Sequence, residues 1–100
     1  MIYLVDIDNT ICKTEGDDYE NAEPYPERIK KINRLYKKGH KIIYWTARGS
    51  ETGKNWEKLT RSQLRKWKAK YFALGAKPYA NYYIDDLAIN TKDFFKQRKK

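Results

Sequence analysis

Ile2-Tyr3-Leu4-Val5-Asp6-Ile7-Asp8-Asn9-Thr10 decides how the chain is read. A short run of β-branched and aromatic residues, apolar on both faces, predicts a buried parallel strand over 2–7. That run ends in two carboxylates and a hydroxyl. Two further runs end in a similar way. Ile42-Ile43-Tyr44-Trp45 leads into Thr46-Ala47-Arg48-Gly49, and Tyr82-Tyr83-Ile84 leads into Asp85-Asp86. Three polar strand ends can meet at one edge of a parallel sheet, which is where open α/β folds bind ligands.

The stretches between the runs supply the connections. Residues 12–24 contain turn formers and acids without a period, and read as a loop or short hairpin over the end of the first strand. Pro26 and Glu27 suit a helix start. Ile29, Ile32, Leu35 and Tyr36 share one helical face, and Gly39 supplies the stop. The second strand is expected over 41–46, followed by a polar loop over 47–59. Thr60-Arg61-Ser62-Gln63 has the spacing of a capping box. Leu64, Trp67, Tyr71 and Leu74 then repeat at helical spacing up to Gly75, a stripe that reads as core rather than as a base-stacking surface. The third strand is expected over 81–85 and a closing helix over 91–98, with Phe94 and Phe95 facing inward at least in part. The order β-α-β-α-β-α implies parallel strands joined by right-handed crossovers. The first strand is expected to lie centrally, and a further short strand near 72–76 is compatible with the pattern.

At 100 residues the chain suits one domain, over 1–100, with one core. Its apolar content of 40% and charged content of 35% fit a soluble globular protein. No apolar run approaches the ~18 residues that cross a bilayer. The N-terminus already reads as a strand carrying an acid, not as a secretory signal, and a cytoplasmic location fits best. Cys12 is the single cysteine, so no internal disulfide and no metal-site spacing arises, and it reads as a small packing residue. His40 reads as a surface residue. The net charge is +9, from 22 Lys and Arg against 13 acids. These cations fall mainly on predicted helix faces and the tail, not in one stripe. That favours a solvated surface over a nucleic-acid footprint, and it would attract phosphorylated substrates either way.

Side chains alternate along a strand, so Asp6 and Asp8 point to one side while Ile7 points away. Two carboxylates so close repel unless a cation or proton intervenes. Mg²⁺ is an economical answer, because it takes oxygen ligands at ~2.1 Å and usually keeps waters and substrate phosphate. Asp85 or Asp86 from a neighbouring strand could complete such a site. A carboxylate can also serve as nucleophile, forming an aspartyl-phosphate that water later cleaves. The Thr46 hydroxyl and the backbone N–H groups of Ala47 and Arg48 suit a phosphate cradle, with a lysine compensating charge. Arg48 itself is a candidate phosphate contact.

With these residues the chain resembles the haloacid dehalogenase-like superfamily of phosphohydrolases. Asp6-Ile7-Asp8-Asn9-Thr10 matches its D-x-D-x-T motif at every defined position. Thr46 matches the hydroxyl that ends the next core strand. Lys77, in Gly75-Ala76-Lys77-Pro78, is the best placed match to the family lysine, and Asp85-Asp86 matches the closing acidic pair. The resemblance spans essentially the whole chain, in the right order. It implies a Rossmann-like three-layer α/β sandwich with a small parallel sheet. It also implies Asp6 as nucleophile and Mg²⁺ ligand, and Asp8 as general acid and base with its carbonyl on the metal. Thr46 would bind phosphate, Lys77 would neutralise charge, and Asp85 would hold metal with Asp86 beside it. Which of the last two touches the ion is left open. Asn9 departs from the glycine common at its position. Only 35 residues lie between Thr10 and Thr46, and 30 between Thr46 and Lys77, which leaves no room for a cap domain. The site should therefore be open, or closed by a second copy of the chain.

The function expected is a Mg²⁺-dependent phosphomonoesterase acting on a small phosphorylated metabolite such as a sugar phosphate. A nucleic-acid end phosphatase and a non-catalytic phosphate- or metal-binding module are the alternatives. A signalling receiver domain fits less well, because its acceptor aspartate would stand on the third strand of a five-stranded sheet. No membrane association is expected.

Overall fold

The computed structural model describes residues 1–50 and 52–96. Strand β1 (Ile2–Asp6) is followed by the two-residue strands β2 (Cys12–Lys13) and β3 (Glu23–Pro24) and by helix α1 (Pro26–Lys37). Then come β4 (Lys41–Thr46), α2 (Glu57–Lys66), β5 (Ala73–Ala76) and the short α3 (Thr91–Phe94). β1, β4 and β5 form a parallel sheet in that spatial order, and β2 pairs with β3 as an antiparallel hairpin. This is a small Rossmann-like α/β arrangement, as expected. No helix among the described residues is long and apolar enough to cross a membrane.

The core lies on one face of the sheet. Val5 and Ile7 from the first strand and its extension, with Ile42 and Tyr44 from β4, are buried against Ile29 and Ile32 of α1 and Leu64 of α2. Ile11 and Cys12 complete the cluster from the hairpin, so Cys12 is a packing residue. Trp67, Tyr71 and Leu74 pack at its margin, and Tyr71 meets Tyr44 edge-on at 5.8 Å. Phe94 and Phe95 close it beside α1, where Lys31 donates to the Phe94 carbonyl.

Each long helix ends on a left-handed residue. Gly39 at φ 97° ends α1, donating to Tyr36 O while His40 N donates to Leu35 O. Lys68 ends α2 in the same way at φ 60°, with Lys68 N to Arg65 O and Ala69 N to Leu64 O. This hydrogen-bond pattern normally has glycine at its left-handed position. Here Asn33 of α1 supports the turn, donating to Lys68 O at 2.9 Å and accepting from Lys70 N at 2.8 Å. The helix expected to run to Gly75 therefore stops at Lys66, and Gly75 sits inside β5.

Three other expectations are corrected. β1 lies at the edge of the sheet with β4 central, and Ile2 and Leu4 on its second face are exposed. The stretch 81–85 forms no strand; Ile84 is 98% exposed and Tyr82 nearly as much. The sheet takes its third strand from 73–76 instead. The closing helix spans Thr91–Phe94, and the expected remainder reaches into residues 97–100, which lie outside the described ones.

The Tyr44 hydroxyl is buried without a hydrogen-bond partner among the described residues. Burial also pushes its ionisation well above the ordinary tyrosine range. An unpaired buried hydroxyl costs about 1–3 kcal/mol. Tyr44→Phe should keep the ring and remove that cost. The urea unfolding midpoint is expected to rise, by roughly 1 kcal/mol of stability, and a lower midpoint would contradict the packing described.

Candidate active site

β1 and β4 pair in register from Ile2 opposite Lys41 to Asp6 opposite Trp45. Thr46 then stands opposite Ala76 of β5. The three strand ends thus bring Asp6, Thr46 and Lys77 to one edge. Lys77 N donates to Thr46 O at 2.9 Å, which continues the strand pairing one residue further. From there the Lys77 ammonium reaches Asp6 Oδ2 at 3.3 Å, and Ile7 N donates to Asp6 Oδ1 at 2.9 Å. Tyr83 lies 4.0 Å from the same ammonium and Trp45 5.5 Å. Burial pushes the Asp6 carboxyl above its ordinary value, against the opposing pull of Lys77.

Beyond Asp6 the chain turns sharply. Thr10 N and Ile11 N both donate to Ile7 O, and Asn9 adopts φ 61°. Asparagine tolerates that left-handed conformation better than most residues. Asn9 is fixed further, because Thr14 N donates to its Oδ1 at 3.1 Å and Asn9 N to Cys12 O at 2.7 Å.

Asp8 lies under that turn. Its Oδ1 accepts from Arg48 Nη2 at 2.8 Å and from Thr14 Oγ1 at 2.7 Å, and its Oδ2 accepts from Arg48 Nε at 2.9 Å. The Arg48 side chain has no exposed surface, whereas Asp8 keeps 20%. Arg48 Nη1 donates to Thr60 Oγ1 at 3.1 Å and to Gln63 Oε1 at 2.7 Å. Gln63 Nε2 in turn donates to Tyr19 O, and the Tyr19 ring packs over the guanidinium at 4.7 Å. Next to Arg48, Gly49 at φ 79° permits a close passage: a Cβ there would lie 2.0 Å from Lys54 O.

Arg48 is therefore not a substrate contact but the buried partner of Asp8. The Thr46 hydroxyl accepts from Arg48 N at 3.1 Å, so that backbone N–H is already engaged within the strand end and is not free for a phosphate cradle. Thr60 and Gln63 are not a capping pair. α2 begins at Glu57, and both side chains face inward to Arg48. Their i, i+3 spacing carries the same signal for a cap as for two polar residues on one buried helix face. Thr14 and Tyr19 had no distinguishing pattern in the sequence.

Among the described residues, neither Asp85 nor Asp86 forms a hydrogen bond or ion pair with Asp6, Asp8, Thr46 or Lys77. Both are exposed, and Asp85 Oδ1 accepts from Leu87 N at 2.8 Å in a local turn. Among the described residues no three His, Cys, Asp or Glu side chains group as metal ligands. The repulsion between Asp6 and Asp8 is relieved instead by one basic side chain each.

No protein-family model and no curated protein matches the sequence. Among solved structures, the chain is similar to the crystal structure of an MCSG target from Vibrio cholerae. The TM-score is 0.81 at 26% identity, over 97% of this chain and 89% of that one. It is also similar to part of a chain in the structure of a Pnkp1/Rnl/Hen1 complex. There the TM-score is 0.61 at 19% identity, over 94% of this chain and 32% of the other. These likenesses show the α/β fold.

The raised ionisation of Asp6 has a stability consequence. Between its ordinary value of 3.8 and its higher native value, the native state holds the proton more tightly than the unfolded state does. Stability therefore falls as pH rises through that window. Asp6→Asn removes the penalty. Its melting temperature is expected to exceed that of the wild type at pH 7, with the difference shrinking as pH falls toward 3.8. Melting curves across pH that show the variant less stable at neutral pH would refute this account.

Proposed function

We propose that the chain is a phosphomonoesterase in which Asp6 receives the phosphoryl group from a small phosphorylated metabolite such as a sugar phosphate. The observation that carries this reading is the Asp6–Lys77 pair at the sheet edge, with Asp8 held two residues further on. The resemblance to the haloacid dehalogenase-like phosphohydrolases through Asp6-Ile7-Asp8-Asn9-Thr10 supports the same roles. Asp6 remains accessible, with 37% of its side chain exposed, while Lys77 is mostly covered. Trp45 and Tyr83 beside Lys77 offer apolar surface to the body of a substrate.

The chemistry divides into two displacements. In the first, an Asp6 carboxylate oxygen forms a bond to phosphorus as the phosphorus–ester oxygen bond breaks. The departing oxygen takes a proton from Asp8, whose carboxylate picks that proton up from solvent before the step. In the second, water forms the new bond to phosphorus and gives a proton to Asp8. The Asp6–phosphorus bond breaks, releasing inorganic phosphate and restoring both carboxyl groups. Lys77 supplies positive charge next to the attacking carboxylate and the incoming phosphoryl oxygens. Mg²⁺, which the Asp6 carboxylate and the Asp8 carbonyl would hold, would supply further positive charge to the phosphate.

Purified protein is expected to hydrolyse a generic aryl phosphate with Mg²⁺ added. Asp6→Asn should abolish turnover while circular dichroism shows an unchanged fold, and Lys77→Ala should reduce it by about 100-fold. Full turnover by Asp6→Asn would exclude the aspartyl-phosphate route. Equal rates in excess chelator would remove Mg²⁺ from the proposal and leave the route in place.

A further inference from the structure

We infer that Arg48 is the positioning residue for Asp8 and that it selects Oδ2 as the atom that handles the proton, an inference that rests on the phosphatase reading above. An ionised carboxylate offers roughly four lone-pair sites, two on each oxygen. Both sites on Asp8 Oδ1 are taken, by Thr14 Oγ1 at 2.7 Å and Arg48 Nη2 at 2.8 Å. The Cys12 thiol crowds the same oxygen from 3.8 Å. Among the described residues, Oδ2 accepts only from Arg48 Nε, at 2.9 Å. One lone pair on that oxygen is left to exchange a proton with a leaving group or a water.

Arg48 cannot contact a substrate directly. Its side chain is wholly buried, and four of its N–H groups are directed at Asp8, Thr60 and Gln63. The planar fork presents Nε and Nη2 in a fixed geometry that matches the two carboxylate oxygens. Thr60 and Gln63 set the rotation of that fork from α2, and Tyr19 covers its face from the segment between β2 and β3. The carboxylate of Asp8 is therefore aimed by residues that never touch the reacting atoms. A change of about 1 Å in such an arrangement can cost about 100-fold in rate.

The test compares Arg48→Ala and Arg48→Lys with the wild type on an aryl phosphate, scoring folded protein by circular dichroism and thermal melting. In Arg48→Ala, kcat per folded molecule should fall by about 100-fold at unchanged KM. Lysine should recover only part of the loss, because a point charge lacks the fork. In an Asp8→Asn background, Arg48→Ala should add no further loss. If Arg48→Ala does not fold, Gln63→Ala carries the same test: it loosens the guanidinium without removing its charge, and should lower kcat at unchanged KM. A raised KM with intact kcat would make Arg48 a phosphate contact. Unchanged kcat per folded molecule would make it purely structural, full activity in Arg48→Lys would make charge alone sufficient, and an additive loss beside Asp8→Asn would separate it from Asp8. Each of these overturns the inference and leaves the phosphatase reading standing. A wild type inert toward every phosphate ester tested overturns the phosphatase reading, and the inference with it.

Discussion

A guanidinium with no exposed surface must find partners inside the protein, and Arg48 draws them from three parts of the chain. Asp8 comes from the turn after β1, and Thr60 and Gln63 come from α2. The Tyr19 ring comes from the short helical turn before β3. Removing one partner from a buried ion pair is costly, because the remaining charge cannot return to water. The pair therefore fixes how α2 lies against the strand ends, and how the hairpin covers them. The exactness of that arrangement comes from polar geometry, while the apolar cluster around Ile7, Ile32 and Tyr44 supplies the bulk of the packing.

The elements easiest to read were those whose signals are local. β4 occupies the expected 41–46, and α1 begins at Pro26 and ends before Gly39, because proline, glycine and a clean apolar face all agree there. α2 was harder, since its end depends on a partner remote in sequence. Lys68 takes a conformation that glycine would normally mark, and Asn33, 35 positions earlier, supports it. Apolar content alone misplaced the third strand. Tyr82-Tyr83-Ile84 has the right residue types, but Ala73-Leu74-Gly75-Ala76 is delivered to the side of β4 by the short link after α2. The same shift leaves β1 at the edge instead of the centre.

The site was legible in proportion to how directly the strands carry it. Asp6, Thr46 and Lys77 meet because strand register leaves them little choice. The relation between Asp8 and Arg48 was not visible, because a separation of 40 positions hides a contact made only once α1 has crossed the sheet. Arg48 follows a strand end rich in polar groups, and such an arginine reads naturally as a ligand contact. Burial assigns it the opposite place, behind the carboxylate instead of in front of it. Thr60 and Gln63 show how one spacing can serve two ends, since a helix cap and a polar stripe facing inward use the same residue types.

The two ion pairs have an electrical consequence. Asp6 with Lys77 and Asp8 with Arg48 cancel one another, so these four groups sum to zero. The whole surplus of +9 then resides elsewhere on the chain. An anion drawn toward this protein is gathered by a long-range field that belongs to the periphery and is weakened by salt. At the strand ends it meets a balanced set of charges whose short contacts are far less sensitive to ionic strength. Long-range attraction and short-range contact at the strand ends are thereby governed by different populations of charge, and each can be altered in evolution without disturbing the other.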